Sequence, residues 1–170
     1  NSGAANITTA SSGGTVDMSS ASGNYTLTGQ GGVDTLTGGS GADIISAGTG
    51  ADALSGGAGN DVITGGDDND NMTGGAGNDT FKVDIGNDTI TDLTTGDILI
   101  VSSGAIANAT NISAFVATSS TTNSGIANLT AATGGGSIDV GNSVTGAYTL
   151  TGLSGNDTLK GNGNNDTLNG

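Results

Sequence analysis

Carboxylates recur along this chain at a fixed step. Asp34, Asp43, Asp52, Asp61, Asp70 and Asp79 stand nine residues apart, and Asp88 extends the series to seven. Each follows a glycine-rich stretch, and one residue separates it from an apolar side chain. Counted from Gly29, the frame GGxGxDxUx (U apolar) runs without a gap to Thr91 as GQGGVDTLT, GGSGADIIS, AGTGADALS, GGAGNDVIT, GGDDNDNMT, GGAGNDTFK and VDIGNDTIT. Oxygen donors of this kind suit hard cations, and a fixed step turns isolated donors into a ladder.

The elements that position such a ladder follow from the same frame. The last three residues of each nonad, xUx, form a short strand, and GGxGxD forms the turn that reverses it. Two nonads make one coil of 18 residues, with strands stacked about 4.7–4.8 Å apart. The fold class is therefore all-β, a right-handed parallel β-roll or β-solenoid. Its inward ladder is Leu36, Ile45, Leu54, Ile63, Met72, Phe81 and Ile90, and the flanking Thr35, Thr37, Ser55, Thr64, Thr73, Thr89 and Thr91 point outward. Glycine at positions one, two and four is expected to supply backbone angles that a β-carbon forbids. Asp68 takes position four of the fifth nonad, where a strained but intact turn is expected.

Nonads n and n+2 share an edge of the roll. Asp34, Asp52, Asp70 and Asp88 line one edge, and Asp43, Asp61 and Asp79 the other. Carboxylates about 4.7 Å apart repel by roughly 1 kcal/mol in water and about 3–4 kcal/mol at an effective dielectric of 20. Summed over the neighbours, this rivals the whole net stability of a domain, about 5–15 kcal/mol. A divalent ion between neighbours reverses the sign. Calcium accepts six to eight oxygens in forgiving geometry, whereas magnesium resists dehydration. The frame offers no nitrogen or sulfur ligand for a transition metal.

Composition points the same way. The chain has 170 residues, 34 of them Gly, and a formal net charge of −14, with no Pro, Cys, His or Trp. All 16 acidic residues are Asp. Leu, Ile, Val and Phe together make up fewer than one residue in five, too few to offset the ordering entropy by burial alone. Something outside the sequence must complete the fold. Lys82 and Lys160 are the only basic residues, which excludes a nucleic-acid partner. No stretch is long and apolar enough to span a membrane, and zero Cys excludes disulfides and thiolate zinc. With no His, Cys or Glu, no nucleophile–base pair or catalytic carboxylate pair can be nominated, so the chain reads as non-enzymatic.

The nonads resemble the RTX, or haemolysin-type calcium-binding, family, closely over 29–91 and more loosely over 152–169, where Asp157 and Asp166 stand in frame. The resemblance implies calcium in the turns, with each Asp bridging two ions. Main-chain oxygens of positions one and three come from one turn, and those of positions two and four from the next turn on the same edge. Carried over, one site joins Gly38, Ser40 and Asp43 to Gly57, Gly59 and Asp61. A second joins Gly56, Ala58 and Asp61 to Gly75, Gly77 and Asp79. Asp68, Val83 and Asp84 depart from the pattern in the fifth and seventh nonads. The resemblance further implies type I secretion from a Gram-negative bacterium, and folding outside the cell, where calcium is abundant.

A longer repeat overlies the nonads. Residues 13–36 match 135–159, pairing Tyr25 with Tyr148, Asp34 with Asp157 and Asp43 with Asp166. The expected organisation is a solenoid lead-in at 1–28, the roll at 29–91, and a closing segment with irregular β-solenoid or loop at 92–133. A second copy of a unit of about 122 residues then opens at 134–170. Because the chain begins at Asn1 and stops at the first position of another nonad, it reads as an excerpt of a tandem array or a processed product. Tyr25 and Tyr148 occupy the Asp position and are expected to cap the ladder. Asp17, Asp84, Asp92, Asp97 and Asp139 are left outside it as spare acids.

These features favour a calcium-binding structural repeat of an extracellular polymer, a surface layer or filament that self-associates at the cell surface. A stalk repeat of a giant secreted adhesin or biofilm matrix protein is the alternative, and a module of a secreted toxin or hydrolase a lesser one. An ice-binding roll is disfavoured, because position three reads Gly31, Ser40, Thr49, Ala58, Asp67, Ala76 and Ile85 rather than a row of Thr. Asn6, Asn108, Asn111 and Asn128 open Asn-x-Ser/Thr triplets that permit glycosylation.

Overall fold

In a computed structural model that describes residues 5–170, short strands follow one another with no helix among the described residues. The first are β1 (Ala5–Thr8), β2 (Thr15–Asp17), β3 (Tyr25–Gly31), β4 (Thr35–Thr37), β5 (Ile44–Thr49), β6 (Ala53–Ala58), β7 (Val62–Asp67), β8 (Asn71–Ala76), β9 (Thr80–Val83) and β10 (Asn87–Ile90). Then come β11 (Ile98–Val101), β12 (Ile106–Ile112), β13 (Ala114–Val116), β14 (Thr122–Asn123), β15 (Ile126–Ala131), β16 (Ser137–Asp139), β17 (Tyr148–Thr151), β18 (Thr158–Lys160) and β19 (Thr167–Asn169). Residues 1–4, the start of the lead-in, lie outside the described residues.

Every pairing is parallel. One sheet runs β1-β3-β5-β7-β9-β11-β14, and a second runs β2-β4-β6-β8-β10-β12-β15-β17-β19. The chain is thus a β-solenoid of about nine turns. In the nonad block the register advances by one 18-residue coil, as Ile44↔Val62↔Thr80 and Thr35↔Ala53↔Asn71. The apolar member of each strand stacks on its counterpart. Leu36, Ile45, Leu54, Ile63, Met72, Phe81 and Ile90 are all buried, so a core one side chain deep separates the two sheets.

Beyond the nonads the coil widens. Asn87 pairs with Ile106, Ile106 with Ile126, and Ala114 with Ser137, steps of 19, 20 and 23 residues. The extra length makes a third wall, the sheet β13-β16-β18. Of the solenoid and the loop that the composition of 102–133 leaves open, the solenoid is what forms. Its core is filled with alanines plus Ile112, Phe115 and Leu129. The first sheet ends at β14, while the second continues through both copies of the longer repeat. Equivalent strands therefore fall on different walls: β3 lies in the first sheet, but its counterpart β17 lies in the second.

Candidate metal centre

The turns bring the aspartates into two rails. On one edge the Asp34 amide donates to Asp52 Oδ1 (2.7 Å), Asp52 to Asp70 (2.9 Å) and Asp70 to Asp88 (2.9 Å). On the other edge Asp43 donates to Asp61 (2.7 Å), Asp61 to Asp79 (2.9 Å) and Asp79 to Asp97 (2.8 Å). The Asp carbonyls complete each rail by accepting the N–H of the residue after the next rail Asp, as Val62 to Asp43 (2.9 Å) and Thr80 to Asp61 (2.8 Å). One carboxylate oxygen is thereby fixed by the backbone, and the other is turned toward its neighbours in the turn.

That second oxygen has no partner at Asp52, Asp61, Asp70 and Asp88, and at Asp34 neither oxygen has one. The seven aspartates at position six of the nonads are 0–3% exposed. A buried carboxylate without a donor costs several kcal/mol, and the titration behaviour reflects it. Burial pushes Asp61 up to about 6; the Asp43 amide opposes the shift, and the charges of Asp79 and Asp43 add to it. Burial likewise raises Asp70 to about 7 against the Asp52 amide, with Asp88, Asp52 and Asp68 contributing repulsion. Asp88 rises to about 6, mainly by burial. Asp52 and Asp79 are also raised, again chiefly by burial. These are the environments of groups that require a cation or a proton.

No three His, Cys, Asp or Glu side chains converge on one point among the described residues. Carboxylates from successive coils alone cannot satisfy a six- to eight-coordinate ion, so main-chain oxygens must supply the rest. Glycine makes that approach possible, though not as expected at every position. Gly57 and Gly59, at positions two and four, do take left-handed angles (φ 112° and 127°). Gly56, at position one, does not. A β-carbon there would stand 2.2 Å from Asp61 Oδ2. Gly56 is thus kept free of a β-carbon by the carboxylate of its own nonad, which lies against it. Gly38 and Gly74 stand in the same relation to Asp43 and Asp79, while Gly75 and Gly77 pack on the carbonyls of Gly57 and Gly59. Ser40 and Ala58 bind through their amides to the preceding coil, at Ala21 and Gly39. Asp68 keeps its turn intact at φ 79°.

The ladder's ends differ from the sequence expectation. Asp97 is not a spare acid. It is 2% exposed and terminates the second rail. The signal was present, since Asp97 lies nine residues beyond Asp88 in the nonad DLTTGDILI. Asp92, also set aside, accepts the amides of Gly74 (2.9 Å) and Gly75 (2.7 Å) and closes that edge. The other spare acids are engaged: Asp84 accepts the Ser102 hydroxyl, Asp139 pairs with Lys160 (2.9 Å), and Asp17 accepts the Ser19 amide. At the opposite end the Tyr25 amide donates to Asp43 Oδ1 (2.6 Å), and Tyr148 repeats this with Asp166 (2.8 Å). Both tyrosines are buried, as expected of caps. Asp157 and Asp166 are half-buried, and Asp157 accepts the Gly136 amide.

A further row went unread in the sequence. Asn at position five binds the next coil, with Asn60 Oδ1 accepting from Asn78 (2.9 Å) and Asn69 from Asn87 (2.8 Å). Its mark in the sequence is the recurrent Asn-Asp pair at 60–61, 69–70, 78–79 and 87–88.

Fold and site together define a solenoid whose turns present stacked carboxylates and carbonyls to hard cations. The family described as RTX calcium-binding nonapeptide repeat matches residues 21–54, 28–63, 46–81, 55–90, 73–104 and 149–170, more than half of the chain. The chain belongs to that family, whose repeats bind calcium. No curated protein and no solved structure matches it significantly.

Proposed function

We propose that this chain is a non-catalytic, calcium-binding structural repeat of an extracellular bacterial polymer, a surface layer or filament that folds and assembles when calcium is bound. The orphaned, buried carboxylate oxygens of Asp34, Asp52, Asp61, Asp70 and Asp88 carry the calcium half of this reading. In it, Asp43 and Asp61 with Gly38, Ser40, Gly57 and Gly59 hold one ion, and Asp61 and Asp79 with Gly56, Ala58, Gly75 and Gly77 hold another. Asp34, Asp52, Asp70 and Asp88 serve the opposite edge, and Asp157 and Asp166 begin the ladder of the next copy. Bound calcium supplies positive charge between carboxylates that otherwise repel. The residues do the rest: the rail amides orient each carboxylate, and glycine leaves room for the carbonyls.

The polymer half is supported by the seam between the two copies. Strand β16, which lies in the second copy, pairs with β13 in register from Ala114↔Ser137 to Val116↔Asp139. One unit thus docks on the next by main-chain bonding that any number of copies can extend. Secretion and a place at the cell surface belong to the same proposal and suit calcium-rich surroundings. The test is negative-stain microscopy and light scattering of the chain, with calcium raised from chelator to about 10 mM, the millimolar range in which extracellular modules bind it. Filaments or sheets that form with calcium support the polymer. Folded monomers at every concentration would overturn it and favour the stalk of an adhesin.

A further inference from the structure

The calcium ladder does not extend through the whole solenoid, and what replaces it is apolar. In the second sheet Asp88 pairs with Ala107, Ala107 with Ala127, and Ala127 with Tyr148. The column that carries carboxylates in the roll thus carries buried Ala, Ala and Tyr in the wide coils. Every unpartnered buried side-chain oxygen among the described residues belongs to an aspartate between Asp34 and Asp88.

The core changes in step. One ladder coil, 62–79, buries only Ile63 and Met72 among its apolar side chains, whereas the wide coil 100–121 buries Val101, Ala105, Ala107, Ala109, Ile112, Phe115 and Ala117. Polar groups in the wide coils are satisfied within the chain. Asn123 Nδ2 donates to the Ala147 carbonyl (2.7 Å), and its Oδ1 accepts the Gly125 amide (3.0 Å). Ser143 meets the Tyr148 hydroxyl at 2.7 Å. On the outer face Asn128 donates to Asn108 (2.9 Å), which donates in turn to Asn87.

We propose that residues 98–151 form a calcium-independent joint, so that calcium removal unfolds the roll at 29–97 and leaves the seam between the copies folded. The inference rests on the calcium reading of the ladder and goes beyond it. Calcium would then set the stiffness of each roll without dissolving the connection between units, and the surviving joint would be the edge on which the next roll reforms when calcium returns.

Hydrogen exchange read by mass spectrometry on the intact chain, in EDTA and in calcium, tests this directly. Peptides within 35–90 should exchange at least about a hundredfold faster in EDTA, while peptides within 105–150 keep their rates within about threefold, a range that local opening spans readily. Loss of protection in the joint together with the roll would overturn the proposal while leaving the calcium reading intact. Protection of the roll in EDTA would overturn both. The variant Phe115→Ala gives a second check: it should abolish joint protection in EDTA yet leave the 35–90 peptides calcium-protected, and joint protection unchanged in EDTA would count against the proposal.

Discussion

Replacing the central aspartate by its neutral isostere should change stability in opposite directions with and without calcium. Asp61→Asn keeps an oxygen for the Asp43 amide, now 2.7 Å from Asp61 Oδ1, and removes one charge from between Asp43 and Asp79. Without calcium, an ionised Asp61 is held in a site that moves its pKa from 3.8 to about 6. At about 1.4 kcal/mol per pH unit, this charge costs roughly 3 kcal/mol at neutral pH. The Asn amide brings a penalty of its own, about 1–3 kcal/mol for a buried NH2 without an acceptor. The variant should therefore be more stable than the parent in EDTA, by up to about 2 kcal/mol as the difference of those two figures. With calcium the sign reverses, because in the proposed sites Asp61 is the carboxylate shared between two ions, and breaking a buried charge pair costs about 3–5 kcal/mol. The assay is circular dichroism, with folding driven by a stabilising osmolyte in EDTA and unfolding by urea in calcium. Equal destabilisation in both conditions would refute the electrostatic argument, as would an unchanged urea midpoint in calcium.

Three other outcomes follow from the same geometry. In chelator, Asp61, Asp70 and Asp88 have raised pKa values of about 6, 7 and 6 in the fold against 3.8 in the unfolded chain. The fold then binds more protons than the unfolded chain between about pH 4 and 7, and its stability falls as pH rises through that window. Far-UV dichroism in EDTA should accordingly show more β-structure at pH 5 than at pH 7.5, and calcium titrations should show weaker binding at pH 5. Gly74→Ala places a β-carbon 2.3 Å from Asp79 Oδ2 and 2.9 Å from the Phe81 ring, and should lower stability in calcium by about 1–3 kcal/mol, as overpacking does. Gly134→Ala, which meets nothing within 4 Å, is the control and should leave the urea midpoint where it was. Asp97→Asn touches only the last member of its rail, so native mass spectrometry should show one calcium fewer, whereas Asp61→Asn affects two sites.

The roll was legible because its determinants are local and periodic. A nine-residue step fixes strand, turn, inward ladder and rail together, and Leu36 through Ile90 are buried where the frame places them. Asp97 shows the limit of reading by consensus. Its nonad has none of the glycines that mark the others at positions one, two and four, and its one glycine, Gly96, stands at position five, yet the step alone puts it on the rail. Position-one glycines such as Gly56 do not take the expected left-handed angle; proximity to a carboxylate leaves the same residue in the sequence as such an angle does. The wide coils were the least legible part. Their steps of 19 to 23 residues follow no single period, and a third sheet that begins at Ala114 while another ends at Asn123 is a matter of long-range pairing that no local pattern encodes. The displacement of equivalent strands to different walls follows from that coil and was equally hidden.

The most direct test of the account is a calcium titration of the chain from EDTA, followed by far-UV circular dichroism, with magnesium at matched concentrations as the control. The aspartate rails predict a cooperative rise in β-structure with calcium, from the partial signal of the joint to that of the full solenoid, and little response to magnesium. A full β-signal already present in EDTA at neutral pH, unmoved by calcium, would contradict the claim that the buried carboxylates need the ion to fold.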